Sequence, residues 1–346
     1  MPILFIILLI CFSFSAAAQN LPEDQSAVRI LAYFMVGQNN HPRTSVTIEQ
    51  FTAHLETLKN GDYNVVPLDN MTTPQKNAVA ISFDGGDKSI ITHAAPLLEK
   101  YKFPYTVFVA TDRLDAHNPR YLNWEDIRKL RKSDLLTIGL HPQVYGSIGF
   151  ETPEFIRSKI NNATARLRDE LGLNAHLFAY PFGEYTEKYL DIITNYDFKA
   201  TFGQHSGVAY AYTPKTPHPR FTMTEDYADL DRFQMIMDSL PLPTMEVSPT
   251  TSQIKTANPA IGFSVADTIL SEMDKMSCFT SDQGKPNTNI LGNRVELRLK
   301  TPATQTRFRV NCTLPITPPN GDKTTHWRWL GFLFKLDDTP KKPVEQ

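Results

Sequence analysis

Polar residues and one tight turn follow four short apolar runs in the first two thirds of the chain. Asp84 comes after AVAISF, His141 after LLTIGL and His205 after FKATF, whereas LFAY leads into Pro181-Phe182-Gly183. In barrel-like α/β domains the carboxyl ends of the strands lie on one face, so these groups are expected to meet at one mouth. A carboxylate and imidazoles collected there can position a water, bind a divalent metal and move protons.

Each of these residues also has a purely structural explanation. A strand-end aspartate such as Asp84 often caps the next helix, and His141 can be a buried histidine with backbone partners. His205 lies between Gly203 and Gly207, which permit a sharp turn in which the imidazole bonds to the loop backbone. The order and spacing of the features, rather than any one of them, indicate a function.

The elements that must position these residues are repeated βα units, because apolar runs alternate with helical patterns up to about residue 240. The predicted strands cover 28–36, 63–68, 78–83, 105–110, 135–140, 177–180 and 198–202. Thr47 with Gln50 predicts the start of one helix, and Thr152 with Pro153 the start of another. The pattern favours a barrel-like α/β domain over 19–240, and no glycine-rich phosphate loop is present.

The composition changes near residue 240. Residues 241–258 are rich in Pro, Ser and Thr and predict a linker. From 259 to 338 apolar residues alternate with charged ones, which predicts a small antiparallel, sandwich-like β-domain, followed by a tail over 339–346. Trp327 and Trp329 share one face of a predicted strand there, and we favour a place in the sandwich core over a sugar-stacking role.

The amino terminus predicts export. An apolar run over 1–18 ends in Ala16-Ala17-Ala18, the small-residue pattern of a signal peptidase site, with cleavage expected before Gln19. The run is short for a membrane span, so a periplasmic or secreted chain without a stable span after cleavage is expected. An uncleaved anchor is the alternative.

The net charge and the cysteines bear on the possible partners and on a disulfide. The formal net charge of −2 provides no electrostatic argument for binding nucleic acid. Outside the apolar run the cysteines are Cys278 and Cys312. In an oxidising compartment such a pair is expected to form one disulfide, with two separate buried thiols as the alternative.

The motifs resemble, in content and order, those of the polysaccharide deacetylase family (NodB homology, carbohydrate esterase family 4) over residues 28–225. The family motif Thr/Ser-Phe-Asp-Asp-Gly is matched by Ser82-Phe83-Asp84-Gly85-Gly86. The motif His-Ser/Thr-x-x-His is matched at its first histidine only, by His141, and the third motif by Tyr180-Pro181-Phe182-Gly183.

This resemblance implies a distorted (β/α) barrel that removes acetyl groups from amino-sugar polymers with a divalent, zinc-like metal. It makes Asp84 the general base and His141 a metal ligand. The turn Tyr180-Pro181-Phe182 would contact the substrate, with backbone amides near it holding the developing oxyanion. Arg220 is a further candidate beside the substrate, where it can pair with Asp84 and keep it ionised, or it can be an ordinary surface arginine.

Two of the family's three protein ligands to the metal are missing. Gly85 replaces the second aspartate and Tyr145 the second histidine. Asp87 and Tyr145 are candidate substitutes, although we favour a helix-capping role for Asp87. His205 is a candidate for proton delivery or for a replacement ligand, with a structural loop histidine as the alternative.

Two hypotheses follow. The first is an exported hydrolase of carbon–nitrogen bonds that removes N-acetyl or O-acetyl groups from a polysaccharide or oligosaccharide through an atypical metal site, as the retained Asp84 and His141 favour. The second is a deacetylase-like carbohydrate-binding or envelope scaffold protein without hydrolysis, as the missing ligands favour.

Overall fold

The computed structural model describes residues 21–71, 73–210, 217–316 and 325–337. The predicted signal peptide and the predicted tail lie outside these ranges. No helix in this part of the chain is both long enough and apolar enough to span a membrane.

Helices and strands alternate up to residue 237, and strands dominate beyond it. The strands are β1 (Val28–Tyr33), β2 (Met35–Val36), β3 (Ser45–Val46), β4 (Asn64–Val65), β5 (Ala78–Asp84), β6 (Tyr105–Val109), β7 (Leu136–Leu140), β8 (Leu177–Ala179), β9 (Ala200–Phe202), β10 (Phe221–Thr222), β11 (Ser239–Pro241), β12 (Thr244–Ser248), β13 (Gln253–Ile254), β14 (Ile261–Val265), β15 (Ser277–Thr280), β16 (Asn287–Leu291), β17 (Arg294–Arg298), β18 (Arg307–Ile316) and β19 (His326–Leu336). The helices are α1 (Pro22–Gln25), α2 (Ile48–Asn60), α3 (Ala95–Tyr101), α4 (Thr111–Asp115), α5 (Trp124–Leu130), α6 (Pro153–Leu171), α7 (Glu187–Ile193) and α8 (Leu230–Met237).

An eight-stranded parallel sheet forms a distorted (β/α) barrel, which confirms the predicted fold class. Its strand order is β10-β1-β5-β6-β7-β8-β9, with β4 beside β5. Phe202 at the end of β9 pairs in a parallel bridge with His218, just before β10, so the two ends of the sheet approach each other. Strands β1, β5 and β6 are buried along their whole length, as expected of strands covered on both faces.

Local sequence signals explain where the helices begin and end. Thr152 accepts a hydrogen bond from the Phe155 amide, Pro153 occupies the first turn of α6, and Gly172 ends the helix at φ +66°. Helix α2 begins with the predicted capping box of Thr47 and Gln50. These starts are confirmed, because capping depends on residues that are close in sequence.

Strands β11–β19, here called the β-region, form two sheets that enclose a second core. One sheet has the order β11-β19-β18-β15 with β13 on β19, and the other has the order β12-β14-β17-β16. The segment 241–258, predicted to be a linker, contributes β12 and β13 to these sheets. Trp329 packs edge-on against Phe221 of the barrel at 5.2 Å, so this indole lies where the two cores meet.

Cys278 and Cys312 form the predicted disulfide, and they are direct partners across β15 and β18. The bond closes a loop with a sequence separation of 34 residues. Replacing both cysteines by serine is expected to lower the free energy of unfolding by about 3–4 kcal/mol, because the unfolded chain gains freedom. Urea unfolding of the variant and of the reduced wild type, monitored by circular dichroism, measures this loss. Equal midpoints for oxidised and reduced protein would contradict the expectation.

Candidate active site at the barrel mouth

The end of β5 places Asp84 inside a closed set of hydrogen bonds. Its side chain is completely buried, as is that of Arg220. Arg220 donates to both carboxylate oxygens, from Nη1 at 2.7 Å and from Nη2 at 2.8 Å. The side-chain amide of Gln204 donates to Oδ2 at 2.9 Å. Three donors therefore hold the carboxylate in one orientation.

These contacts keep Asp84 ionised. Burial alone would raise the pKa of its carboxyl group, but attraction to Arg220 and the hydrogen bonds from Arg220 and Gln204 outweigh burial. The pKa therefore lies below its usual value of 3.8. A bidentate guanidinium is the partner best suited to a carboxylate in a water-free site.

His141, at the end of β7, lies beside this ion pair and is also fully buried. Its Nδ1 lies 2.7 Å from the carbonyl oxygen of Ala179, which can only accept, so Nδ1 carries the proton. Burial lowers the pKa of His141 to about 4, and the ring is therefore neutral near pH 7. Its Nε2 lies 3.9 Å from Oδ1 of Asp84 and has no hydrogen-bond partner among the described residues. It is a buried acceptor with a free lone pair.

The residues around His141 do not fit the divalent metal that the motif resemblance implies. Gly85 adopts φ +84°, and a Cβ atom there would lie 2.6 Å from Nη1 of Arg113. Tyr145 packs edge-on against the His141 ring at 4.8 Å. Within the described ranges no three His, Cys, Asp or Glu side chains are grouped to hold a metal ion. Such sites normally use three protein ligands, whereas a guanidinium and a phenol occupy this space.

Arg113 is held in place by one hydrogen bond and two aromatic rings. Its Nη1 donates to the carbonyl oxygen of Gly85 at 2.8 Å. The guanidinium carbon lies 4.5 Å from the ring centre of Tyr121 and 4.3 Å from that of Tyr145. Two cation–π contacts and one hydrogen bond thus hold the guanidinium beside Gly85. The sequence contains no local signal for this placement.

Asp87 has the geometry of a helix cap. Its Oδ1 accepts a hydrogen bond from the Ser89 amide at 2.8 Å, and its Oδ2 lies 4.0 Å from Nε of Arg120. The carboxylate therefore serves the backbone that leads into the following helical segment, as the favoured sequence interpretation expected.

The turn after β8 separates its residues between the core and the surface. Tyr180 is buried and packs edge-on against Tyr189, whereas Phe182 is 37 % exposed and adopts φ +58°. The amides of Gly183 and Glu184 already donate to carbonyl oxygens within the turn. These two amides are therefore not free to bind an oxyanion. In this turn it is the side chain of Phe182 that is exposed to a ligand.

His205 lies apart from Asp84 and His141. Its ring lines a cavity of about 160 Å³ between the barrel and the β-region, together with Tyr185, Val208 and Trp329. Among the described residues no hydrogen bond or ion pair joins His205 to Asp84 or His141. The structure therefore places His205 at the cavity beside the β-region, outside the hydrogen-bonded group that Asp84 forms with Arg220 and Gln204.

Comparison with known proteins agrees with the motif resemblance. Residues 71–201 match the family model described as polysaccharide deacetylase. Residues 71–201 are thus similar to this family, and the barrel that contains them is here called the deacetylase domain after that match. Polysaccharide N-deacetylases of this family are hydrolases of carbon–nitrogen bonds, and they generally use a divalent metal.

Curated relatives and solved structures that are similar to this chain include proteins that are deacetylases by name. The poly-beta-1,6-N-acetyl-D-glucosamine N-deacetylase of Staphylococcus aureus is 23 % identical over 214 residues, which are 56 % of this chain and 73 % of the relative. The structure of IcaB from Ammonifex degensii matches with a TM-score of 0.55 at 23 % identity, over 61 % of this chain and 97 % of that chain. Streptococcus pyogenes deacetylase PplD, in complex with acetate, matches with a TM-score of 0.56 at 17 % identity, over 61 % and 98 %. The structural matches show a shared fold.

The β-region contributes two arginines that the sequence pattern did not single out. Arg307 on β18 donates to Glu184 at 2.5 Å, to the carbonyl oxygen of Phe182, and to Oε1 of Gln204 at 3.4 Å. Arg309 donates to the carbonyl oxygen of Gln204. Because Arg307 donates to the amide oxygen of Gln204, the amide nitrogen points at Asp84. Both arginines lie at charged positions of the alternating pattern in this strand, and the folded chain directs them toward the deacetylase domain.

Four histidines with lowered pKa values make the stability of the fold sensitive to acid. Burial lowers the pKa of His54, His141 and His218 to about 4 and that of His205 to about 3. The unfolded chain takes up these protons near pH 6.5, so it binds more protons than the folded chain between pH 6.5 and 4. The contribution of these histidines to the free energy of unfolding is fully present above pH 6.5. As the pH falls below 6.5, each histidine lowers the free energy of unfolding by at most about 1.4 kcal/mol per pH unit.

Urea unfolding at pH 7.5, 6.5, 5.5 and 4.5 measures this dependence. The exposed His41 provides the control, since His41→Gln is expected to leave the slope unchanged. A free energy of unfolding that stays constant from pH 6.5 to 4.5 would contradict the expectation.

Proposed function

We propose that the deacetylase domain binds an N-acetylated amino-sugar polymer at the barrel mouth and that it does not perform metal-assisted hydrolysis. The observation that carries this proposal is the position of Arg113. Its guanidinium occupies the space beside Gly85, since a Cβ atom at that position would lie only 2.6 Å from Nη1 and the arginine side chain would have to shift to admit an aspartate. A fixed positive charge there opposes a divalent cation electrostatically.

The burial and hydrogen bonding of Asp84 also argue against hydrolysis at this site. A general base must come within hydrogen-bond reach of the water that it deprotonates. The Asp84 side chain is fully buried and receives three hydrogen bonds from Arg220 and Gln204. Its lowered pKa also makes it a weak base near neutral pH. The carboxylate is thus better suited to neutralising Arg220 than to activating water.

Glycan binding is supported by family and by surface chemistry. The Staphylococcus aureus relative is a deacetylase of a β-1,6-linked N-acetylglucosamine polymer. At the mouth of this barrel Phe182 is 37 % exposed and packs edge-on against the half-buried Tyr145 at 4.8 Å. Aromatic faces of this kind bury the apolar faces of sugar rings.

One observation favours a second candidate, a deacetylase that works without the usual metal. Nε2 of His141 is an acceptor without a partner among the described residues, 3.9 Å from Oδ1 of Asp84. A water held between these two atoms would contact an ionised carboxylate and a neutral imidazole, the pair that general-base hydrolysis requires.

The experiment measures metal content, binding and hydrolysis on one protein sample. Purified mature chain is analysed for bound metal, titrated with oligomers of β-1,6-linked N-acetylglucosamine, and assayed for acetate release from N-acetylated and O-acetylated glycans. We expect binding without stoichiometric metal and without acetate release. The Asp84→Asn/Arg220→Gln variant removes the carboxylate and its partner charge together. Acetate release that this variant abolishes would establish the second candidate, and a lack of binding would refute the first.

Export belongs to the same proposal. The apolar run over 1–18 and the small residues Ala16-Ala17-Ala18 support cleavage before Gln19 and release to the periplasm or the medium. Cell fractionation with amino-terminal sequencing tests this, and an uncleaved chain in the membrane fraction would contradict it.

A further inference from the structure

The charges at the barrel mouth do not balance. Arg220 is neutralised by Asp84 at 2.7 Å, and Arg307 by Glu184 at 2.5 Å. No carboxylate of the described residues forms an ion pair with Arg113. Arg309, which also has no ion-paired carboxylate among the described residues, already donates to the carbonyl oxygen of Gln204. Arg113 is therefore the arginine beside Gly85 and Tyr145 whose charge a ligand can pair with.

The guanidinium of Arg113 also has unused hydrogen-bond donors. A guanidinium has five N–H groups in a planar fork. Within the described part of the chain, the guanidinium makes one hydrogen bond, from Nη1 to the carbonyl oxygen of Gly85. The side chain is half-buried, and its guanidinium carbon lies 4.5 Å from the ring centre of Tyr121 and 4.3 Å from that of Tyr145. A pre-oriented fork with free donors is suited to a planar, doubly accepting group.

We propose that Arg113 binds a carboxylate of the ligand, so that the polymer recognised at this mouth is acidic as well as N-acetylated. The inference rests on the proposed glycan binding and specifies its substrate class: an amino-sugar polymer that carries uronate or other sugar carboxylates. The carboxylate accepts two hydrogen bonds from the fork while a neighbouring sugar ring contacts Phe182. A fully deacetylated polymer, which carries ammonium groups, is repelled by the same charge.

Three oligosaccharides of equal length test this specificity by titration calorimetry. One alternates N-acetylglucosamine with glucuronate, one contains N-acetylglucosamine alone, and one contains glucosamine alone. We expect the acidic oligosaccharide to bind about tenfold or more tightly than the neutral one, since hydrogen bonds to charged groups are the strong ones. The glucosamine oligomer is expected to bind most weakly, and the preference for the acidic ligand should weaken as salt is added.

Substitutions at Arg113 test whether its guanidinium causes the preference for the acidic oligosaccharide. Arg113→Gln is expected to remove the preference, so that the ratio of the affinities for the acidic and the neutral oligosaccharide falls about tenfold, to near one. Arg113→Lys retains the charge without the fork and should recover only part of the preference. Arg131→Gln, which removes an exposed arginine that donates to the Leu171 carbonyl, provides the matched control and should behave as wild type.

The outcomes separate this inference from the proposed function. Competition with sodium acetate and with inorganic phosphate distinguishes a sugar-borne carboxylate from a small free anion. Equal affinity for neutral and acidic oligosaccharides, unchanged in Arg113→Gln, would overturn the inference while leaving glycan binding intact. Displacement by millimolar phosphate or acetate would show a site for small anions and would overturn it as well. Binding of none of the oligosaccharides would refute the proposed function itself.

Discussion

Replacing Asp84 by asparagine is expected to lower the free energy of unfolding by about 3–5 kcal/mol, because it leaves the buried charge of Arg220 without a partner. Both side chains are inaccessible to solvent and are joined by two hydrogen bonds of 2.7 Å and 2.8 Å. Water cannot replace the carboxylate at such a site. Thermal and urea unfolding of Asp84→Asn measure the loss.

Two controls separate the buried charge from other effects of the substitution. Asp62 forms an ion pair of 2.9 Å with Lys76 on the surface, and Asp62→Asn is expected to change the melting temperature little. The double variant Asp84→Asn/Arg220→Gln removes both charges and should recover part of the lost stability. If Asp84→Asn and Asp62→Asn destabilise equally, the buried ion pair with Arg220 does not stabilise the barrel more than a surface pair does.

Restoring the two missing metal ligands is expected to create a three-ligand metal site where the natural chain has none among its described residues. The triple substitution Gly85→Asp, Arg113→Ser and Tyr145→His supplies a carboxylate and an imidazole beside His141 and removes the competing guanidinium. Tyr145 already contacts the His141 ring at 4.8 Å, so a histidine at that position lies within reach of a shared ion. With three protein ligands, Co²⁺ is expected to bind at least about a hundredfold more tightly than to the natural chain.

The single substitution Gly85→Asp provides the control for this design. A Cβ at that position would lie 2.6 Å from Nη1 of Arg113, and φ +84° is unfavourable for a residue with a side chain. We therefore expect the single variant to bind no metal and to be less stable than the natural chain. Visible absorption of bound Co²⁺ and metal analysis report the stoichiometry. A triple variant that binds no more metal than the natural chain would show that Arg113 and Tyr145 are not what excludes the ion.

In the proposed function, the charged side chains at the barrel mouth occupy the place where related deacetylases would hold a metal ion. The ion pair of Asp84 with Arg220 stabilises the barrel end, and Arg113 occupies the space beside Gly85. Arg307 extends the network from the β-region by orienting Gln204 toward Asp84. Substitutions in the β-region are therefore expected to affect the site of the deacetylase domain.

Much of the fold could be predicted from local signals. The apolar runs that became β1, β5 and β6 are buried on both faces, and such strands show as continuous apolar segments. The positions of Asp84 and His141 followed from apolar runs of this kind, because each residue lies at or directly after a strand end. The segment 241–258 was harder to interpret, since its Pro, Ser and Thr residues form short strands only by pairing with β14 and β19.

Which side chains meet at the site is decided by contacts between residues far apart in the chain. The sequence alone predicted the fold, the family motifs, the disulfide of Cys278 with Cys312 and the loss of two metal ligands, because each of these is written in residue type, order or spacing. The space left by Gly85 is filled by Arg113, 28 residues away, and the amide that contacts Asp84 is oriented from the β-region. The positions of these guanidinium and amide groups became visible in the folded chain, because a long polar side chain adopts the orientation that its spatial neighbours permit.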